Sequence, residues 1–80
     1  MTREEVYARL NNVFREVLDD DSIELHDETV ADDVDGWDSF EHINLIVGVE
    51  DEFGFKIPMG KVVTMKNVGE MVDIILEMGK

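Results

Sequence analysis

Three segments of this 80-residue chain begin with a pair of residues typical of a helix start and continue with apolar residues at helical spacing. The pairs are Thr2 with Glu5, Asp38 with Glu41, and Asn67 with Glu70. The first side chain of each pair can accept a hydrogen bond from an unpaired amide in the first helical turn, and an acid three residues later strengthens the signal. The chain is therefore predicted to be all-α.

Apolar spacing and stop signals define four helical segments. The first helix is expected over residues 3–18, the second from Ser39 to Phe53, and the last from Asn67 to Gly79. A short third helix is expected within residues 59–65, where one glycine and two valines weaken helix formation. The predicted architecture is a four-helix bundle, with three principal helices plus a short third helix, forming a single domain over residues 1–80.

Residues 19–38 connect the first two helices and show no helical or strand period. They contain ten carboxylates, and no Lys or Arg occurs between Glu16 and Phe55. The scattered apolar residues of this connection predict a long loop packed on the helices. Its expected anchors are Ile23, Leu25, Val30, Val34 and Trp37.

The charge and composition exclude several classes of partner and chemistry. A net charge of −13 repels nucleic acid and anionic membranes and favours partners with basic surfaces. No apolar run is long enough for a secretory signal or a membrane span, which predicts a cytoplasmic protein without membrane insertion. Since the chain contains no cysteine, any thiol chemistry must use a sulfur from elsewhere.

The second predicted helix has two different faces. Its core face is expected to hold Ile43, Leu45, Ile46, Val49 and Phe53. Phe40 and Val47 fall on the opposite side, in a stripe with Asn44 and Asp51. Exposed apolar groups inside an acidic rim are typical of a docking surface, although isolated apolar residues are also common on protein surfaces.

Ser39, at the start of this helix, allows two interpretations: a structural residue of the first helical turn, or a nucleophile. Serine is common in the first turn of helices, and Asp38 already supplies the cap. A serine nucleophile needs a general base, and the only histidines are His26 and His42. His42 lies three residues from Ser39. A histidine at this position is more often a hydrogen-bonded structural residue of the helix than a general base, so no catalytic residue is predicted.

The acidic connection also raises the question of calcium binding, because ADDVDG is similar to the start of an EF-hand loop. With Gly36 as the sixth position, Asp33 and Asp35 fit the third and fifth positions. Ala31 at the first position and His42 at the twelfth do not fit, so no metal site of this type is predicted. Weak divalent binding by the nearby carboxylates stays open; these are Asp32, Asp33, Asp35, Asp38 and Glu41.

The sequence around Ser39 resembles the acyl carrier protein family. The matching features are GWDSF at mid-chain, a helix ending in VEDEF, the following KIP, an acidic loop before the serine and a capped helix at the end. Phe40 stands where leucine is usual, and MGKVV at residues 59–63 replaces a short acidic helix. These departures favour a specialised carrier.

The resemblance implies a function and a role for each matched residue. Ser39 would carry a covalent 4′-phosphopantetheine arm added by a phosphopantetheinyl transferase, and Asp38 and Phe40 would be recognised by that transferase. By position, the partner-binding residues on the second helix would be Phe40, Glu41, Val47, Glu50 and Asp51.

The expected protein is a monomeric carrier, not an enzyme. It would hold acyl intermediates as thioesters and present them to synthase, ligase or acyl-transfer enzymes of fatty acid, lipid or polyketide-type biosynthesis. The alternative that stays open is an unmodified acidic adaptor that binds a basic partner through the helix starting at Ser39.

Overall fold

The computed structural model describes residues 1–79, and every regular element within them is helical. The helices are α1 (Arg3–Val17), α2 (Ser39–Phe53), α3 (Met59–Val62) and α4 (Val68–Met78), with a single 3₁₀ turn at Ala31–Asp33 in the connection between α1 and α2. The predicted all-α bundle with a long first connection is confirmed. No helix in this part of the chain is long and apolar enough to span a bilayer.

Each long helix starts at its predicted cap. Thr2 and Glu5 form a reciprocal capping box, whereas Asp38 and Asn67 each cap with the side chain alone. The carboxylates three residues after these two caps bind elsewhere: Glu41 accepts from the Asn44 amide, and Glu70 accepts from the Lys66 backbone N–H. Asp38 therefore caps α2 without a reciprocal partner.

Helix α1 packs against both α2 and α4, and the core lies between them. The side chains buried from these three helices are Val6, Leu10, Val13, Phe14, Leu45, Ile46, Val49, Val68, Met71, Val72 and Ile75. Phe53, which was expected in the core, is only partly buried, as is Val17 of α1. At Gly48, an added Cβ would lie 2.9 Å from a methyl of Val13, so the missing side chain permits close contact between α1 and α2.

Helix α3 lies within the predicted segment and covers little of the bundle. It ends at Val62, and only Val62 is buried from it. Its N-cap, Pro58, makes no side-chain cap hydrogen bond, and Thr64 bonds back to the carbonyls of Gly60 and Lys61. With β-branched residues and no effective cap, the segment lacks the local energy to extend.

The connection between α1 and α2 is held by hydrogen bonds to helices on both sides. From α1, Arg15 donates to the carbonyl of Ile23 at 2.8 Å, and Asn11 accepts from the amide of Leu25 at 2.9 Å. The first two amides of α4, Val68 and Gly69, donate to the carbonyls of Thr29 and Asp27. The predicted anchors Ile23 and Leu25 are buried, while Val30, Val34 and Trp37 are partly buried.

Asp27 also joins α1 and α4 through its carboxylate. Arg3 donates to Asp27 and to Asp73 of α4, both at 2.8 Å, and the Tyr7 hydroxyl donates to Asp27. The hydrogen bond from Tyr7, followed by that from Arg3, holds the pKa of the Asp27 carboxyl below its usual value. Burial and the bond to Asp27 raise the pKa of Tyr7 to about 12.

We expect Asp27→Asn to lower the melting temperature at neutral pH and to lose that difference from wild type in acid. Because the folded pKa of Asp27 is depressed, its carboxylate stabilises the fold above the unfolded pKa of about 3.9, and this contribution disappears as pH falls through the folded pKa. Thermal melts of both proteins from pH 7 to pH 2 measure this. Asp21→Asn, which removes an exposed carboxylate from the same connection, is the matched control. A gap that stays constant over the whole pH range would contradict the assignment.

Candidate functional site

Ser39 is the first residue of α2 and is exposed. The preceding residue, Asp38, has extended backbone geometry, and its carboxylate accepts from the amide of Glu41 at 2.8 Å. Within residues 1–79, no hydrogen bond involves the Ser39 hydroxyl. Since the neighbouring side chain caps the helix, this hydroxyl is free to react.

The other serine of the chain is differently placed. The amide and hydroxyl of Ser22 both donate to one carboxylate oxygen of Asp20, at 2.9 and 2.6 Å. These bonds, that from the hydroxyl first, hold the pKa of Asp20 below its usual value. Ser22 therefore has its hydroxyl in a local turn, and Ser39 does not.

His42 is hydrogen-bonded at both ring nitrogens and is not aimed at Ser39. The indole of Trp37 donates to Nδ1 at 3.2 Å, and Nε2 lies 3.3 Å from the carbonyl oxygen of Val62. An acceptor Nδ1 and a donor Nε2 match the neutral Nε2–H tautomer. The predicted role as a satisfied helix histidine agrees with this geometry, which offers no general base to the serine.

Trp37 and His42 pack against each other near Ser39. The two rings stack with centroids 5.9 Å apart, and the rings of Trp37 and Phe14 of α1 form a T-shaped contact with centroids 5.0 Å apart. Through Val62, the same histidine ties α2 to α3. The start of α2 is thus fixed to the core and to the short helix by one aromatic chain of contacts.

A cleft of about 620 Å³ opens next to Ser39, between the start of α2, α3 and the turn that follows α3. Clefts of this size can hold a small ligand. Its apolar lining consists of Ala31, Trp37, Ile43, Val62, Val63, Met65 and Met71. Its polar lining includes Asp32, Asp38, His42, Lys66 and Asn67.

The prediction that Ile43 belongs to the core is wrong. Its side chain is 48% exposed and lines the cleft, whereas Leu45, Ile46 and Val49 of the same helix are buried. Helical spacing places Ile43 at the edge of the apolar face, and α3 is too short to cover that edge. The uncovered apolar surface is what makes the cleft.

The predicted exposed stripe of α2 is present. Phe40 is 75% exposed and Val47 is 50% exposed, and Asn44 and Asp51 are exposed beside them. Val63, which follows α3, is 72% exposed and lines the same cleft as Ile43. Sequence reasoning missed Val63 because α3 has no apolar period long enough to assign its faces.

Two of the predicted rim carboxylates bind groups within the chain. The Glu41 carboxylate accepts from Asn44 at 2.8 Å but stays on the surface. Glu50 accepts from the amide of Ile57 at 2.7 Å, and its side chain is only 14% exposed. Glu50 therefore secures the segment after α2 and is not a free docking group, which corrects its predicted role.

The carboxylates of the acidic connection do not converge. The Asp33 carboxylate accepts from the amide of Val30, and that of Asp38 caps α2. In the part of the chain that the structure describes, no three acidic or histidine side chains are grouped so that they could hold a metal ion. The open possibility of a weak divalent site gains no support from this arrangement.

Three comparisons with known proteins agree with one another. The sequence profile of a family described as the phosphopantetheine attachment site matches residues 8–75. The chain is 36% identical to acyl carrier proteins of Myxococcus xanthus and Micrococcus luteus, in each case over 92% of its length and more than nine-tenths of theirs. It also resembles the solution structure of the holo acyl carrier protein from Geobacter metallireducens, with a TM-score of 0.80 and 41% identity over 95% of this chain and 83% of that one.

We expect His42→Ala to loosen α3 without unfolding the bundle, because it removes the hydrogen bond to Val62 that joins α2 to α3. A hydrogen bond of this kind contributes about 0.5–1.5 kcal/mol, which corresponds to about two- to tenfold faster amide exchange in α3. Hydrogen exchange resolved by residue measures the effect. His26→Ala, at the only other histidine, is the control and leaves α3 unchanged. Equal exchange in wild type and His42→Ala would show that this bond does not hold α3.

Proposed function

The chain belongs to the acyl carrier protein family, and from that premise we propose that it holds acyl intermediates as thioesters on a 4′-phosphopantetheine arm attached to Ser39. The observation that carries the proposal is the state of the Ser39 hydroxyl, which is exposed, free of hydrogen bonds within residues 1–79 and located at a cleft. Ser22 lacks these properties because its hydroxyl bonds to Asp20.

Loading of Ser39 needs no catalytic group from this chain. The serine oxygen attacks the β-phosphorus of coenzyme A, a new P–O bond forms, and adenosine 3′,5′-bisphosphate leaves. The proton of the hydroxyl passes to a base of the phosphopantetheinyl transferase. The engaged ring of His42 is consistent with this division of labour, in which the carrier is not itself an enzyme.

The surroundings of Ser39 fit the arm. Unpaired amides and the dipole at the start of α2 favour a phosphodiester, while the apolar walls of the cleft suit an acyl chain. The bound arm supplies the thiol that this cysteine-free chain lacks. Here the protein orients the attachment point and limits the space available to the cargo.

We assign the docking surface to the exposed side of α2. Phe40 and Val47 supply apolar contacts, and Glu41 and Asp51 supply an acidic rim for basic patches on partner enzymes. Asp38 and Phe40, which flank the serine, are the residues that the transferase would recognise. Glu50 is left out of this surface because its carboxylate is bound to Ile57. A monomeric, cytoplasmic carrier is part of the proposal.

The test of attachment is the intact mass after incubation with coenzyme A and a phosphopantetheinyl transferase of broad specificity. Wild type and Ser22→Ala are expected to gain one phosphopantetheine, and Ser39→Ala none. Retained helicity of the Ser39→Ala protein by circular dichroism excludes unfolding as the cause. If several transferases leave the wild type unchanged, the unmodified acidic adaptor replaces the carrier as the better account.

The test of docking is Val47→Glu. Placing a charge inside the apolar stripe should lower kcat/KM for loading by a transferase about tenfold or more, equivalent to about 1.4 kcal/mol of lost interaction. Ala8→Glu adds the same charge to an exposed position on α1 and is expected to react like wild type. Loss of helicity in Val47→Glu would mean that Val47 supports the core. If Val47→Glu is loaded as fast as Ala8→Glu, the exposed side of α2 is not the docking surface.

A further inference from the structure

The side-chain charges around Ser39 oppose an added anion, although the dipole at the start of α2 favours one. Residues 16–55 contain no Lys or Arg, and the cleft beside Ser39 includes the carboxylates of Asp32 and Asp38. A phosphodiester on Ser39 would add one more negative charge to this region. Like charges that line one cleft repel one another even in water. A nearby cation would offset this repulsion.

Lys66 is the cation that lines this cleft. It follows α3 and lies far from Ser39 in the sequence. Only the tertiary fold brings both residues to the same cleft. Within residues 1–79, Lys56 and Lys61 lie within 4.0 Å of Glu50 and Glu77, at 3.9 and 3.7 Å. No carboxylate in that part of the chain lies at this distance from the Lys66 ammonium.

The backbone of Lys66 is fixed although its side chain is exposed. Its amide donates to the Glu70 carboxylate at 2.6 Å, and the next residue, Asn67, caps α4. The long side chain therefore starts from a defined point at the cleft and can move its ammonium over several ångströms. A lysine suits this task because it is a compact charge on a flexible stem, with no geometric demand on the anion.

We propose that Lys66 is the positioning residue for the phosphodiester on Ser39, with its ammonium as the counter-ion that draws the base of the arm toward the cleft. This inference rests on the proposed function, since it requires an arm on Ser39. It adds one more residue of the cleft to the serine, its cap and the exposed stripe of α2.

The experiment compares apo and loaded forms of wild type, Lys66→Gln, Lys66→Arg and Lys56→Gln. At low salt, loading should lower the melting temperature of Lys66→Gln by about 1–5 °C more than that of wild type, as expected for loss of one exposed ion pair. Lys66→Arg, which keeps the charge, and Lys56→Gln, which removes a lysine outside the cleft, should respond to loading like wild type. The excess shift should vanish at about 1 M salt, where the screening length is about 3 Å.

A second readout is the ³¹P resonance of the diester in the loaded proteins. It should differ from wild type in Lys66→Gln and match wild type in Lys56→Gln. Equal loading shifts of the melting temperature in wild type and Lys66→Gln at low salt would overturn the proposal, as would a phosphorus resonance that Lys66→Gln leaves unchanged. Intact mass distinguishes failure of the carrier function from failure of the role proposed for Lys66. Absence of loading refutes the carrier function itself, whereas normal loading without any effect of Lys66 refutes only this inference.

Discussion

Asp27 joins three parts of the chain that lie far apart in sequence. Its carbonyl accepts from the start of α4, and its carboxylate accepts from Arg3 and Tyr7 of α1. A connection of about twenty residues with ten carboxylates has little reason to fold by itself, because its charges repel and its apolar residues are few. Hydrogen bonds to the helices replace local structure. Once the connection is fixed, the start of α2 is fixed as well, and with it Ser39.

The beginning of α2 separates two tasks that a helix start could have combined in one residue. Asp38 satisfies the amide of Glu41, and Ser39 keeps a free hydroxyl. Trp37 and His42 then hold this turn against the core and α3. These contacts use both nitrogens of the nearby histidine ring and hold the start of α2 in place while Ser39 stays exposed. Such an arrangement suits a chain whose chemistry is supplied by a cofactor and by other enzymes.

The short α3 determines the functional surface as much as α2 does. Helix α3 ends at Val62, and Ile43 stays exposed at the cleft beside Ser39. The chain has Pro58 at the N-cap and β-branched residues in this segment, and the helix stops after one turn. The result is a cleft that Val63, Ile43 and Ser39 all line. The segment that follows α3 brings Lys66 to that cleft.

The sequence by itself determined the helices, their caps and the central position of Ser39, because capping and apolar spacing are local signals that act within a few residues. Thr2, Asp38 and Asn67 cap where they were expected, and Phe40 and Val47 are exposed as predicted. Sequence spacing failed at Ile43 and Glu50. Whether Ile43 is covered depends on the length of α3, and whether the Glu50 carboxylate is free depends on the amide of Ile57. Only the tertiary structure decided the cleft, the hydrogen bond from His42 to Val62 and the placement of Lys66 at the same cleft as Ser39. Each of these joins segments separated by a turn whose path no local pattern specifies.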